Sequence, residues 1–153
     1  MSDLDDIDRQ ILEAVQQDAG LSMDALSERV NLSRNACWRR LKALEDAGVI
    51  RGRVTLLNAD KVGQGLQVMV LMRTSSHDPG WMQRFDAAVR AMPEITGAFR
   101  MSGDLDYLLR IRVRDVADYD RFYKDLIRRV PVSDISASFV MESIKDTTEI
   151  PLR

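Results

Sequence analysis

The sequence predicts an α+β protein in two parts. Residues 1–57 form a helical part, 58–65 a short hinge, and 66–153 a sheet-bearing part of order β-α-β-β-α-β. Three observations carry this expectation. Apolar residues recur every three or four positions through the first part, and the hinge gathers two glycines with several turn formers. Beyond it, strand-length apolar runs alternate with helical stripes.

Leu4, Ile7, Ile11 and Val15 make the first stripe, an amphipathic helix of about three turns that Gly20 closes. Ser22 suits the N-cap of a second helix, because its hydroxyl can accept an orphan backbone N–H. Met23, Leu26 and Val30 supply that helix's buried face. After the short Asn31-Leu32-Ser33 connection, Ser33 caps a third helix from Arg34 to about Ala47, stopped by Gly48. On this helix Cys37, Leu41 and Leu44 face the first two helices, which makes Cys37 a small buried hydrophobe. Arg34, Asn35, Trp38, Arg39 and Lys42 fall within an arc of about 140° on the opposite side. Val49–Val54 then reads as a short strand, a wing beside the helices.

Two helices joined by a tight turn, the second bearing basic and amide groups outward, make a helix-turn-helix, and its expected partner is double-stranded DNA. The net charge of −2 hides the footprint. Residues 1–33 carry eight acidic and two basic side chains, whereas residues 34–53 carry six basic against two acidic. Ser33, Arg34, Asn35, Trp38, Arg39 and Lys42 are the candidates at the groove. Arg and Asn suit base edges because each can bond one base through two hydrogen bonds. Arg40, Arg51 and Arg53 lie off the central face and suit phosphates, which position without specifying. For Trp38, contact with a thymine methyl or sugar and simple cover of the helix surface both stay open.

In the second part, Leu66–Thr74 is nearly continuous in apolar residues, as for a strand buried on both faces. Trp81, Phe85, Val89 and Met92 follow at helical spacing, and Ile95–Met101 is a second strand. After the turn Ser102-Gly103-Asp104-Leu105-Asp106, a third strand alternates Tyr107, Leu109, Ile111 and Val113 with Leu108, Arg110 and Arg112. Tyr119, Phe122, Leu126 and Val130 form a second helical stripe, and a last long strand runs from Ile135 toward Ile144. This is the ferredoxin-like order. Its two helices cover one face of the sheet and leave the other to a second copy, so a homodimer is expected.

Leu4-Asp5-Asp6-Ile7-Asp8-Arg9-Gln10-Ile11-Leu12 and the stretch from Leu32 to Ile50 resemble the DNA-binding half of the Lrp/AsnC (feast/famine) transcriptional regulators. Many members carry Thr-Pro or Ser-Pro where this chain has Asn35-Ala36. The βαββαβ half is similar to the same family's ligand-sensing domain, and Gly103-Asp104-Leu105-Asp106-Tyr107 resembles the turn that lines the family's amino-acid pocket between subunits. The resemblance implies a small amino-acid effector and no other cofactor, with dimers associating further to octamers. It places Met101, Ser102, Gly103, Asp104, Asp106 and Tyr107 at the effector, with Ser136 and Ser138, and then Thr147 and Thr148, as further polar contacts. The chemistry agrees: glycine allows close backbone approach, neighbouring N–H groups can bind a carboxylate, and an aspartate can pair with an ammonium. Stretches at Trp81–Phe85, Met92–Glu94, Arg100–Gly103, and Ser138–Glu142 with Ile144–Thr148 resemble a subgroup that includes the cysteine-detoxification regulator of enteric bacteria. That makes cysteine, or a related amino acid, the first effector to test.

One cysteine (Cys37) and one histidine (His77), far apart in sequence, supply neither a disulfide nor a zinc site. There is no phosphate-binding glycine loop, so no catalytic residue is expected. The sheet also lacks the aromatic pair that stacks single-stranded RNA. The acidic start is unlike a secretion signal and no apolar run has membrane length, so a cytoplasmic protein is expected. A ligand-independent local or architectural DNA-binding regulator remains the second reading.

Overall fold

A computed structural model describes residues 4–74 and 78–152. His77 lies outside the described residues. The chain falls into two compact units. One holds the chain up to Leu56 together with the segment from Lys145 onward, and the other spans Leu57–Ile144.

The first unit is built on α1 (Asp6–Gln17), α2 (Met23–Arg29) and α3 (Arg34–Asp46). Each helix begins where a side-chain oxygen takes up a free backbone N–H. Asp5 accepts from Asp8 N–H (2.8 Å), Ser22 from Ala25 N–H (3.1 Å) and Ser33 from Ala36 N–H (3.3 Å). Asn31, at φ 51°, makes the tight turn between α2 and α3, a conformation that Asn tolerates better than most residues. Gly48, at φ 72°, ends α3. Ile11, Leu12, Ala14, Leu26, Val30, Cys37, Leu41 and Leu44 close into one core, with Leu152 packed against it. Burial pushes the Cys37 thiol up, which keeps it neutral. Val49–Val54, expected as a strand, runs without a ladder partner among the described residues.

In the second unit β1 (Leu66–Arg73), α4 (Pro79–Ala91), β2 (Ile95–Arg100), β3 (Tyr107–Val113), α5 (Val116–Arg129) and β4 (Asp134–Phe139) follow in the expected order. The sheet runs β2-β3-β1-β4 and every neighbouring pair is antiparallel. Val68, Val70, Met72, Leu109, Ile111 and Val113 share a core with Trp81, Phe85, Ala88, Phe122 and Leu126. Met69 and Leu71, on the other face of β1, stay half-buried, so within one chain this strand is covered on one side only.

Three boundaries differ from those expected. β4 stops at Phe139 because, past the Val140 N–H bond to Gln67, the chain leaves its partner β1. The expected hinge 58–65 is turned by its own backbone bonds, Val62 N–H to Asn58 O, Gly63 N–H to Asp60 O and Gln64 N–H to Ala59 O, and it groups with the sheet unit. The expected second part, 66–153, loses its last residues from Lys145 to the helical unit, where Gln16 and the helical core hold them.

Candidate DNA-binding and ligand-binding sites

Because α3 buries Cys37, Leu41 and Leu44, its opposite face must look outward. Asn35, Trp38 and Arg39 are exposed there, and their side chains have no polar or ionic partner among the described residues. Trp38 is 57% exposed, a position open to a DNA contact and equally to cover of the helix surface. Ser33 spends its hydroxyl on the cap. Arg34 lies 3.3 Å from Asp24, Lys42 2.8 Å from Asp46 and Arg53 2.8 Å from Glu45. Exposed pairs of this kind are worth about 0–1 kcal/mol, so a phosphate can displace the carboxylate. Arg51 is exposed and has no partner among the described residues.

Arg40 departs from the phosphate role expected of it. Its Nη1 donates to Asp5 Oδ2 (2.7 Å) and Asp8 Oδ1 (2.8 Å), so the guanidinium binds the start of α1 to the middle of α3. The Asp8 N–H first, and then Arg40, hold the Asp5 carboxyl below its ordinary range. Stability drawn from Asp5 is therefore complete above the usual carboxylate range and is lost as acid takes Asp5 through its lowered pKa. Arg39→Ala should weaken DNA binding and lower the log-log salt slope by about one, whereas Arg40→Ala should weaken binding with the slope unchanged. Fluorescence anisotropy across a salt series decides it. Equal slope losses would return Arg40 to the phosphates.

The candidate ligand site is the turn between β2 and β3. Met101 N–H donates to Asp106 O (2.8 Å) and Asp106 N–H to Met72 O (3.0 Å), which fastens both ends of the turn to the sheet. Gly103 sits at φ 114°, a region that side-chain-bearing residues rarely enter. The N–H groups of Ser102, Gly103 and Asp104 have no hydrogen-bond partner among the described residues, and the Asp104 carboxylate is equally free and exposed. The turn thus offers donors for a carboxylate beside an acceptor for an ammonium.

The two aspartates divide. Asp106 Oδ2 accepts from Thr74 N–H (2.8 Å), so this carboxylate fastens the end of β1, and Asp104 alone of the pair points outward. Tyr107 also departs from expectation. The alternation of β3 puts its ring in the core, 4.4 Å from Phe85 and 5.5 Å from Trp81, so it supports the turn from below. Ser136 and Ser138 lie opposite Leu71 and Met69 on the open sheet face, away from Tyr107. Thr147 and Thr148 belong to the segment carried by the helical unit.

Sequence reasoning missed Arg73. Its Nε–H donates to Asp104 O (2.7 Å) and its Nη1 lies 3.7 Å from Asp134 Oδ2, so one guanidinium joins β1, the turn and β4. The available signal was a lone cation ending an apolar strand. On the helix side of the sheet, next to the turn, a cavity of about 420 Å³ is lined by Phe85, Val89, Arg100 and Tyr107 among others.

Residues 4–51 match the family model for winged helix-turn-helix DNA-binding, and residues 67–150 match the one for the Lrp/AsnC ligand binding domain. The chain belongs to the Lrp/AsnC family. It is a DNA-binding transcriptional regulator that carries that family's ligand binding domain, and the curated relatives named below are themselves transcriptional regulators. It is 49% identical to the DNA-binding transcriptional activator DecR of Escherichia coli K12, over 97% of this chain and 99% of that one. It is 46% identical to the glutamate uptake regulatory protein of Zymomonas mobilis, over 97% and 91%. In structure it superposes with a TM-score of 0.93 on a Neisseria meningitidis transcriptional regulator solved with L-methionine, at 38% identity and 97% coverage of both chains. Among the described residues, no helix of this regulator is long and apolar enough to cross a membrane.

Proposed function

We propose that this Lrp/AsnC regulator binds duplex DNA as a homo-oligomer through α3 and takes a small amino acid at the Gly103 turn, with cysteine the first candidate. The observation that carries the DNA reading is the outward face of α3. Asn35, Trp38 and Arg39 stand free on it, while the pairs of Arg34 and Lys42 are weak enough to exchange for phosphate. Arg34 and Asn35 read bases; Arg39, Lys42, Arg51 and Arg53 hold the backbone.

For the effector, the free N–H groups at Gly103 serve the carboxylate and Asp104 the ammonium, with Met101 and Ser102 in the same turn; Ser136 and Ser138, on the open sheet face, are candidates for a further polar contact. The family relative with L-methionine bound supports an amino-acid ligand. The resemblance to the cysteine-detoxification subgroup supports a small sulfur-bearing one, and the relative named for glutamate uptake makes glutamate the rival. Exposed Phe99 and Met101, with half-buried Met69, Leu71 and Leu108 on the open sheet face, support a dimer formed sheet on sheet. Octamers are its extension. A cytoplasmic location fits a DNA-bound role.

The test has two arms. Selection of duplexes from a randomised pool should return a two-part site whose bases change when Arg34 or Asn35 is replaced. Thermal denaturation against each proteinogenic amino acid should show stabilisation by one class, a binding ligand at a hundred times its Kd adding about 2.7 kcal/mol. A flat response to all of them leaves the architectural, ligand-independent reading standing.

A further inference from the structure

The helical unit contains a piece of the far end of the chain, and the attachment is specific. The Gln16 side chain donates from Nε2 to Ile150 O (2.9 Å) and accepts through Oε1 from Ile150 N–H (3.0 Å). An extended residue presents its N–H and C=O to the same side, so one amide side chain satisfies both, as a neighbouring strand would. Pro151 holds Ile150 in that extended form, since the residue before proline is driven out of the helical region. Leu152 then packs against the core of Ile11, Leu26 and Cys37, half-buried.

We infer that residues 145–152 are a strap that docks on α1 at Gln16 and ties the DNA-binding unit to the sheet a second time. The first connection is the stretch 51–57, which has no ladder partner among the described residues and exposes Val54, Leu56 and Leu57. The second leaves β4 at Phe139 and passes through the exposed Met141 and Ile144. A unit held by one unpaired connection explores a wide range of positions. A second connection removes much of that freedom, which raises the effective concentration of one DNA-binding unit at the second half of a two-part site. The occupant is this chain's own segment, because the same eight residues carry both the bridge and the core contact. The docking stands on geometry alone, and the DNA consequence rests on the proposed function.

Hydrogen exchange on the full chain tests the docking. Gln16→Glu keeps size and acceptor but sets a carboxylate oxygen against Ile150 O, and Gln16→Ala removes both bonds. Either should speed exchange at Ile150, Leu152 and the last turn of α1 by about tenfold, with α4 and α5 unchanged. Unchanged exchange at Ile150 overturns the strap. Loss of dimer by sedimentation in Gln16→Glu would mean that a second copy's segment sits there, which also overturns it. For the tie, a duplex selected by the full chain is compared with its half-site. The two-part duplex should lose about tenfold in affinity and the half-site less than about twofold. Equal losses would make the strap a core element without a tethering role. If wild type binds no duplex, the DNA reading fails, and exchange still decides the strap.

Discussion

Asp104→Ala is expected to weaken effector binding by about 10- to 150-fold while ligand-free DNA binding stays within about twofold. A zwitterion leaves water only if both its charges find partners, and a hydrogen bond to a charged group is worth about 1.5–3 kcal/mol. The turn supplies free N–H groups for one charge and the Asp104 carboxylate for the other. Asp106→Asn should be mild, because an amide oxygen can still accept from Thr74 N–H. Calorimetric titration with L-cysteine, L-methionine and L-glutamate measures both variants. Wild-type affinity in Asp104→Ala would put the ammonium site elsewhere, and a larger loss in Asp106→Asn would reverse the two roles.

Trp81→Ala should cost the sheet unit about 3–5 kcal/mol, a large share of a typical domain's stability of about 5–15 kcal/mol. The ring is 1% exposed, lies nearly parallel to Phe85 at 5.1 Å and touches Tyr107. Its Nε1–H donates to Pro131 O at 2.6 Å, which fixes the start of α4 against the end of α5. Trp81→Phe should recover part of the packing and still cost about 1–3 kcal/mol for the orphaned carbonyl. The sequence has two tryptophans, one in each unit, so Trp38 fluorescence follows the helical unit while circular dichroism follows the whole. A Trp81→Ala chain that melts with wild type would refute the packing argument. Tyr107 adjoins the turn, so the same variant should also weaken the effector.

What the sequence revealed follows the range of the interactions involved. Ser22 and Ser33 cap helices three residues ahead of themselves, and the alternation from Tyr107 to Val113 is a single strand reporting its own two faces. Signals of that length survive in a linear reading, and so the fold and the outward face of α3 were legible. The missed features are those settled by distant partners. Arg73 meets Asp104 across 31 positions, Arg40 meets Asp5 across 35, and Gln16 meets Ile150 across 134. Nothing near Val49–Val54 or beyond Phe139 says whether a neighbouring strand exists. Along the chain the effector candidates read as one set, and pleat geometry splits them, sending Tyr107 inward and the serines to the open face.

The inclusion of both chain ends in one unit bears on how such regulators can be recombined. A single crossover near Leu57 would exchange α1 to α3 but leave Ile150 and Leu152 behind, pairing one parent's Gln16 with the other parent's tail. Chimaeras cut there should express poorly unless the tail is compatible, and grafting the tail as well should restore them. The helical unit of this chain is thus encoded in two separated stretches. A change at Gln16 and one at Ile150 should therefore act together, although 134 positions separate them.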